Sequence, residues 1–252
     1  LKIALIQTYK KKYVEALPLI QEAFDNGSDL VVLPEKWVPP TDENFVKGDR
    51  HPFLAQISQL LTSHSSAIVT GALYEKDKAK NYITSYVYGP GGELLGKARK
   101  LHLFGSEKQG FSTGNELFSF DYKNIKIGVA ICYDLDFPEP ARFFALKGCD
   151  LLAVPAKILE EGFGPWMIYV QARVLENRLP LAFANVWYPP SFYGESAVVH
   201  MRNAKTSNIV LPRVEKAPRN EGVYFFETYP ENYREKRSKR LSDRNLIFDS
   251  SY

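Results

Sequence analysis

The sequence predicts an α/β protein in which mixed sheets are covered by helices. Two patterns carry this prediction. Apolar runs of strand length alternate with stretches of helical periodicity from Leu1 to Val186. Hairpin signals are also present, most clearly Gly89-Pro90-Gly91-Gly92 between two apolar runs, and they dominate from Ser196 onward. Alternating strands and helices favour parallel pairing and hairpins require antiparallel pairing, so a simple parallel doubly wound sheet is not expected.

The elements follow in order. Leu1-Lys2-Ile3-Ala4-Leu5-Ile6-Gln7 has the character of a core strand, not of a signal peptide. Tyr13, Ala16, Leu17, Ile20, Ala23 and Phe24 keep helical spacing up to Gly27, a C-cap residue, with Pro18 implying a kink or a late start. Leu30 to Leu33 is a short buried strand ending at Pro34-Glu35, and a helix is expected over Pro52 to Thr62 before a strand at Ala67 to Leu73. Ile83 to Tyr88 and Leu94 to Ala98 form the hairpin around the glycines. A second strand pair brackets Asp121-Tyr122-Lys123-Asn124 and runs into Cys132. Pro138 to Leu146 is helical, with Pro138 suited to the first position. Leu151 to Val154 and Leu181 to Val186 are strands flanking a helix at Trp166 to Asn177. Hairpin strands follow at Ser196 to Met201, Ser207 to Leu211 and Val223 to Glu227, and Tyr233 to Arg240 is a charged helix or tail.

The 252 residues contain no linker, repeat or low-complexity segment, so one domain over 1–252 is expected, with 230–252 a C-terminal tail or helix open to subunit contacts. A hydrophobic fraction of 45% and a charged fraction of 24% are ordinary for a soluble protein with a large core. A net charge of +3 is too balanced to predict a nucleic-acid or membrane partner. No apolar run approaches the roughly 20 residues that span a bilayer. The basic run Arg234, Lys236, Arg237, Lys239 and Arg240 is interleaved with acids, which favours a solvated helix or a subunit contact. The two cysteines, Cys132 and Cys149, do not make a disulfide framework, and a working free thiol predicts a reducing cytoplasm.

Three polar residues share one context, the end of a strand. Glu35 follows Val31-Val32-Leu33-Pro34, Lys100 follows Leu94 to Arg99, and Cys132 closes the run Ile125 to Ile131. A thiol at a strand end is rigidly held where α/β enzymes carry reactive groups. A thiol, a carboxylate and an ammonium together form a coherent set for nucleophilic attack, proton transfer and oxyanion stabilisation. Spacing alone does not show that the three meet. Glu35 reads equally as a loop residue, and Lys100 as one of a basic cluster with Lys97 and Arg99.

The blocks Leu33-Pro34-Glu35, Arg99-Lys100-Leu101-His102-Leu103 and Cys132-Tyr133-Asp134-Leu135-Asp136-Phe137-Pro138-Glu139, in this order, closely resemble the three blocks of the nitrilase superfamily, the carbon–nitrogen hydrolases. Gly96-Lys97, Glu107 with Phe111 and Gly114, Ala172-Arg173-Val174-Leu175-Glu176-Asn177 and Gly194-Glu195-Ser196 extend the likeness over essentially the whole chain. The resemblance implies a four-layer αββα sandwich of two mixed sheets. It implies Glu35 as general base, Lys100 as oxyanion stabiliser and Cys132 as nucleophile, with Glu107 positioning substrate and supporting the lysine. It further implies a Cys thioester intermediate, an oxyanion contact from the Tyr133 backbone N–H, and assembly as a homodimer or larger homo-oligomer. The Tyr133-Asp134 pair resembles the amidase and carbamoylase branches more than nitrilases proper. The expected reaction is hydrolysis of a small amide or carbamoyl compound to ammonia or an amine and an acid. Nitrile hydrolysis or acyl transfer with the same triad, and a noncatalytic binding protein, are the alternatives. Neither a cofactor nor a metal is expected, since no Cys-x-x-Cys or His-x-x-x-His occurs.

Departures from the family fall around the expected pocket. Glu35-Lys36-Trp37-Val38-Pro39-Pro40 lacks the usual glycine, Asp136 stands where many amidase-like members carry arginine, and Val186-Trp187-Tyr188-Pro189-Pro190 and Arg202-Asn203-Ala204-Lys205 replace usual glycine-containing segments. Trp37, Tyr133 and Trp187 are expected as substrate-binding pocket walls, although aromatic core is an equal reading of each. Lys157 reads either as a partner for a substrate carboxylate or as a surface pair with Glu160 or Glu161, the latter favoured. His102 and Cys149 are expected to be structural.

Overall fold

In the first strand, β1 (Lys2–Gln7), Ile3 and Leu5 enter one apolar layer while Ala4 and Ile6 enter another. Period-two burial on both faces is what a strand covered from two sides requires. The computed structural model, which describes residues 1–48, 51–207 and 209–245, extends this pattern through two large mixed sheets.

After β1 come α1 (Leu17–Asp25), β2 (Leu30–Val32), β3 (Phe45–Val46), α2 (Pro52–Leu61), β4 (Ala67–Asp77), β5 (Lys80–Tyr88) and β6 (Leu94–Arg99). Then follow β7 (Phe118–Tyr122), β8 (Ile125–Val129), α3 (Pro138–Leu146), β9 (Leu151–Ala156), α4 (Glu160–Asn177) and β10 (Leu181–Asn185). A small ribbon of β11 (Trp187–Tyr188) and β12 (Phe192–Tyr193) precedes β13 (Ala197–Asn203), β14 (Val210–Lys216), β15 (Gly222–Glu227) and α5 (Arg234–Ser242). One sheet has the order β15-β1-β2-β4-β5-β6, with β3 also on β4, and the other has the order β14-β13-β10-β9-β8-β7. The centres of both are parallel, β1-β2-β4 and β8-β9-β10, and apart from the short β3, which is parallel to β4, the outer strands pair antiparallel.

Three apolar layers define the stacking. Ile3, Leu5, Val32 and Val69 of one sheet meet Ile127, Val129, Ala153, Ala182 and Val198 of the other. On its outer face the first sheet packs Ala4, Ile6, Val31 and Ile68 against Ile20 and Phe24 of α1 and Phe53 and Ile57 of α2. The second sheet packs Leu152, Val154, Leu181 and Phe183 against Phe144 of α3 and Val170 and Val174 of α4. The layer order is therefore helix, sheet, sheet, helix. The αββα sandwich expected from the resemblance is the architecture observed.

Helix α3 covers the expected residues, opening with Pro138. Helix α4 begins at Glu160, six residues before the expected start at Trp166, because Pro165 is carried inside the helix instead of opening it. Strand β14 runs further than Ser207 to Leu211 predicts, and it tolerates Pro212 because it is an edge strand. Residue 208 of that predicted strand, and residues 246–252 of the predicted tail, lie outside the described residues. Within the basic C-terminal run, Arg234 and Arg237 are held by the chain itself, at 2.7 and 2.6 Å from the buried Asp150 carboxylate. That pairing docks α5 onto the start of β9 and buries Arg237, while Arg234 stays half-exposed at the edge of the contact. Among the described residues no helix is long and apolar enough to cross a membrane.

Candidate active site

Glu35 stands just past β2, and a bulge in β4 brings it there. Pairing of β4 with β5 shifts register between Val69 and Ala72, around Gly71 at φ +77°. A methyl group on Gly71 would overlap the Pro34 carbonyl oxygen and lie 2.7 Å from the Trp37 indole nitrogen. The glycine lets the Pro34-Glu35-Lys36 segment close onto β4, where Ala72 N donates to Pro34 O at 3.1 Å and Lys36 N to Ala72 O at 2.7 Å. The Glu35 N–H donates to the Ala156 carbonyl at the end of β9, 3.1 Å away, which ties the residue to the opposite sheet.

Lys100 prolongs β6 by one residue, its N–H bonded to Ile83 O at 2.8 Å. Its ammonium lies 2.7 Å from Glu35 Oε1 and 2.9 Å from Glu107 Oε2, with all three side chains at most 8% exposed. Glu107 is held in turn by the Phe104 N–H at 2.8 Å and by the ammonium of Lys36. Two lysines and two glutamates thus alternate in one buried cluster. Removing any one would leave an unmatched charge, which is where such clusters are most sensitive.

Cys132 lies between the end of β8 and a 3-10 turn over Cys132–Asp136, at φ +48°. A non-glycine residue held in the left-handed region is strained and needs support from its surroundings. That support is visible. Asp134 accepts the Ile131 N–H at 3.0 Å and the Leu101 and His102 N–H groups at 3.1 and 2.8 Å, joining the cysteine turn to the lysine segment. From α4, Arg173 donates to the carbonyls of Leu135 and Asp136 at 3.0 and 2.8 Å and fixes the other side of the turn.

The electrostatics suit a base beside a protonated thiol. Burial pushes the Cys132 thiol well above the ordinary range, and the Glu35 carboxylate beside it adds to this more than Lys100 relieves it. Burial also opposes ionisation of Glu35, but Lys100 and Lys36, together with a hydrogen bond from the Cys132 thiol, hold it below the usual glutamate range. Lys100 is raised despite burial, because the Glu35 and Glu107 carboxylates favour its charge. The resting pair is therefore a thiol donating to a carboxylate, next to a fixed cation.

These groups open on a cavity of about 310 Å³, whose further lining includes Phe104, Tyr133, Asp136, Lys157, Trp166 and Tyr169. Glu35, Lys100, Glu107, Cys132 and Tyr133 all meet there. Trp37 does not. It is fully buried, stacked edge-on to Tyr13 and Phe53, and donates to Thr70 O at 3.2 Å, because the positive φ of Lys36 turns the next residue back into the core. Trp187 also lies outside the lining, its ring against Tyr193 in the β11–β12 ribbon. Lys157 forms no surface pair with Glu160 or Glu161. Its ammonium donates to Lys36 O at 3.1 Å beside the rings of Tyr9 and Phe192, Glu160 pairs with Arg219 instead, and burial and Lys36 lower the lysine to about 8. His102 stacks on Phe137, faces Asp134 and is not among the residues lining the cavity. Cys149 is fully buried in the apolar layer under α3.

Sequence reasoning passed over Lys36, Gly71 and Asp134. Two of them carried a signal, since Gly71 interrupts an apolar strand and Asp134 is an acid three residues after Ile131 at the start of a turn, whereas the role of Lys36 follows only from its φ of +47°.

Comparison with known proteins places the sequence and the fold in one family. The model of the carbon-nitrogen hydrolase family matches residues 6–203. The omega-amidase NIT2-B of Xenopus laevis is 34% identical over 189 residues, covering 68% of this chain and 67% of that protein. A nitrilase of Pyrococcus abyssi is 32% identical over 255 residues, covering 94% of this chain and 90% of its own length. The crystal structure of Nit3 from Saccharomyces cerevisiae, a member of the nitrilase superfamily, superimposes with a TM-score of 0.81 at 26% identity, covering 97% of this chain and 96% of that one. The chain belongs to the carbon-nitrogen hydrolase family.

Proposed function

We propose that this carbon–nitrogen hydrolase cleaves a small amide or carbamoyl compound through a thioester on Cys132. The observation that carries the reading is the Lys100 ammonium, held 2.7 Å from Glu35 and 2.9 Å from Glu107 in a cavity that also exposes the thiol. Cys132 attacks the carbonyl carbon as its proton passes to Glu35. The tetrahedral oxyanion meets Lys100 and the Tyr133 backbone N–H, and a cation already fixed by two carboxylates needs little reorganisation to do this. As the carbon–nitrogen bond breaks, Glu35 returns the proton to nitrogen, and ammonia or an amine leaves. Water then attacks the thioester with Glu35 as base, the carbon–sulfur bond breaks, and the thiolate recovers its proton. Glu107 orients Lys100 and faces the departing nitrogen.

A free thiol nucleophile suits a reducing compartment such as the cytoplasm, and homo-oligomeric assembly accompanies the reading by resemblance. The test is a panel of aliphatic amides, carbamoyl compounds and nitriles scored by ammonia release, with acyl-enzyme trapping by mass spectrometry. Turnover of an amide with an adduct on Cys132, abolished in Cys132→Ala, is the expected result. Undiminished amide turnover by Cys132→Ala overturns the mechanism.

A further inference from the structure

The wall of the cavity facing the triad carries charges that the triad does not use. Lys36 and Lys100 are matched by Glu35 and Glu107, and the Lys157 ammonium is seated on the Lys36 carbonyl. Asp136 and Glu161 remain. One oxygen of Asp136 is buried and has no hydrogen-bond partner, and Glu161 forms no ion pair with a described residue. Arg173 and Lys100 act on the Asp136 carboxylate only through space, since the Arg173 N–H groups are engaged by the Leu135 and Asp136 carbonyls and by Glu176 and the Lys100 ammonium by Glu35 and Glu107. The Trp166 ring, only 4% exposed, leaves its N–H unpaired on the same lining. Buried polar atoms are rarely left without partners, and two on one cavity wall point to a group that arrives from outside. Aromatic faces surround them: Phe104 is 58% and Tyr169 41% exposed, with the Tyr133 ring 5.0 Å from Phe104.

We propose that Asp136, with Glu161 and the rings of Phe104, Tyr133, Trp166 and Tyr169, selects amides whose tail carries an ammonium or guanidinium group. A carboxylate supplies the charge-assisted hydrogen bond, and aromatic faces accept a cation with little desolvation penalty. Burial raises Asp136 against the pull of Arg173 and Lys100, and a cation bound beside it opposes that rise further. The inference rests on the amide-hydrolase reading given above.

The experiment compares kcat/KM for three amides of one chain length, bearing an ammonium, a methyl or a carboxylate terminus. The ammonium tail is expected to be preferred over methyl, and Asp136→Asn to shrink that preference about 10- to 100-fold, as for loss of a charged hydrogen bond. Calorimetric binding of the same three amides to Cys132→Ala reads the preference without turnover. A preference for the methyl or carboxylate tail, or a ratio unmoved in Asp136→Asn, overturns the inference while amide hydrolysis stands. Selective binding without hydrolysis of any amide by the parent supports the cation subsite and overturns the reaction instead.

Discussion

One oxygen of Asp134 accepts the backbone N–H of His102 at 2.8 Å and lies 3.0 Å from the ring nitrogen of the same residue. Since the other oxygen takes the Ile131 N–H, one buried carboxylate joins the residue before Cys132 to the residues after Lys100. An amide in its place still accepts on one side, but its NH₂ faces the Ile131 N–H. Leaving a buried N–H unpaired costs about 1–3 kcal/mol. Asp134→Asn is therefore expected to lower the thermal midpoint and, by shifting thiol against ammonium, to reduce kcat up to about 100-fold. Melting curves and steady-state rates check both. A variant with parental kcat would show that the tie serves stability alone.

Gly71 tests how closely the base depends on its bulge. Alanine at φ +77° carries a backbone penalty of about 1–2 kcal/mol, and its methyl also collides with the Pro34 carbonyl. Because Pro34 precedes Glu35, relief of the collision moves the carboxylate. Gly71→Ala is expected to lose both stability and kcat, the latter on the order of 10-fold or more for a displaced catalytic group. A variant that melts early yet keeps its parental kcat would separate the bulge from catalysis.

These two positions also show what was legible in the sequence. The strand ends made Glu35, Lys100 and Cys132 candidates, and only the resembling blocks joined them into one set and added Glu107. The helix over Pro138–Leu146 was readable because proline marks its first position. What escaped depends on backbone dihedrals and through-space contact. Trp37 adjoins the site in sequence, yet the φ of +47° at Lys36 sends its ring into the core and the Lys36 ammonium to Glu107. Asp134 and Arg173 act on backbone groups brought near by folding, a partnership with no sequence periodicity.

The thiol should titrate in the direction burial dictates. Desolvation and the neighbouring Glu35 raise the Cys132 pKa above that of a free cysteine, so thiolate is scarce at neutral pH. Iodoacetamide alkylation of Cys132 is expected to keep rising from pH 7 to beyond pH 9, where a free thiol of pKa about 8.5 levels off. Glu35→Gln removes the negative charge while Lys100 remains, so its profile should move to lower pH. A parental profile that levels off near pH 8 would contradict this picture of the resting site.

Glu75 on β4 makes acid stability a second readout. Its carboxylate, 3% exposed, accepts from Arg99 at 2.8 and 2.9 Å, Lys97 at 2.6 Å and Thr84 at 2.6 Å. Burial opposes its ionisation, but the hydrogen bonds from Arg99, Lys97 and Thr84 outweigh it and lower the pKa to about 2. A carboxylate depressed on folding contributes stability above its unfolded pKa of about 4.3 and loses it as pH falls towards the folded value. The contribution is on the order of 2–3 kcal/mol, allowing for the partial exposure of Lys97 and Arg99. Urea midpoints are expected to fall between pH 4.5 and pH 2 in the parent. In Glu75→Gln that component of the slope should vanish, with lower stability at pH 7. Arg99 directly precedes Lys100, so the same variant should also lower kcat at neutral pH, where the parent is fully folded. Equal acid slopes in the two proteins would remove Glu75 as the source.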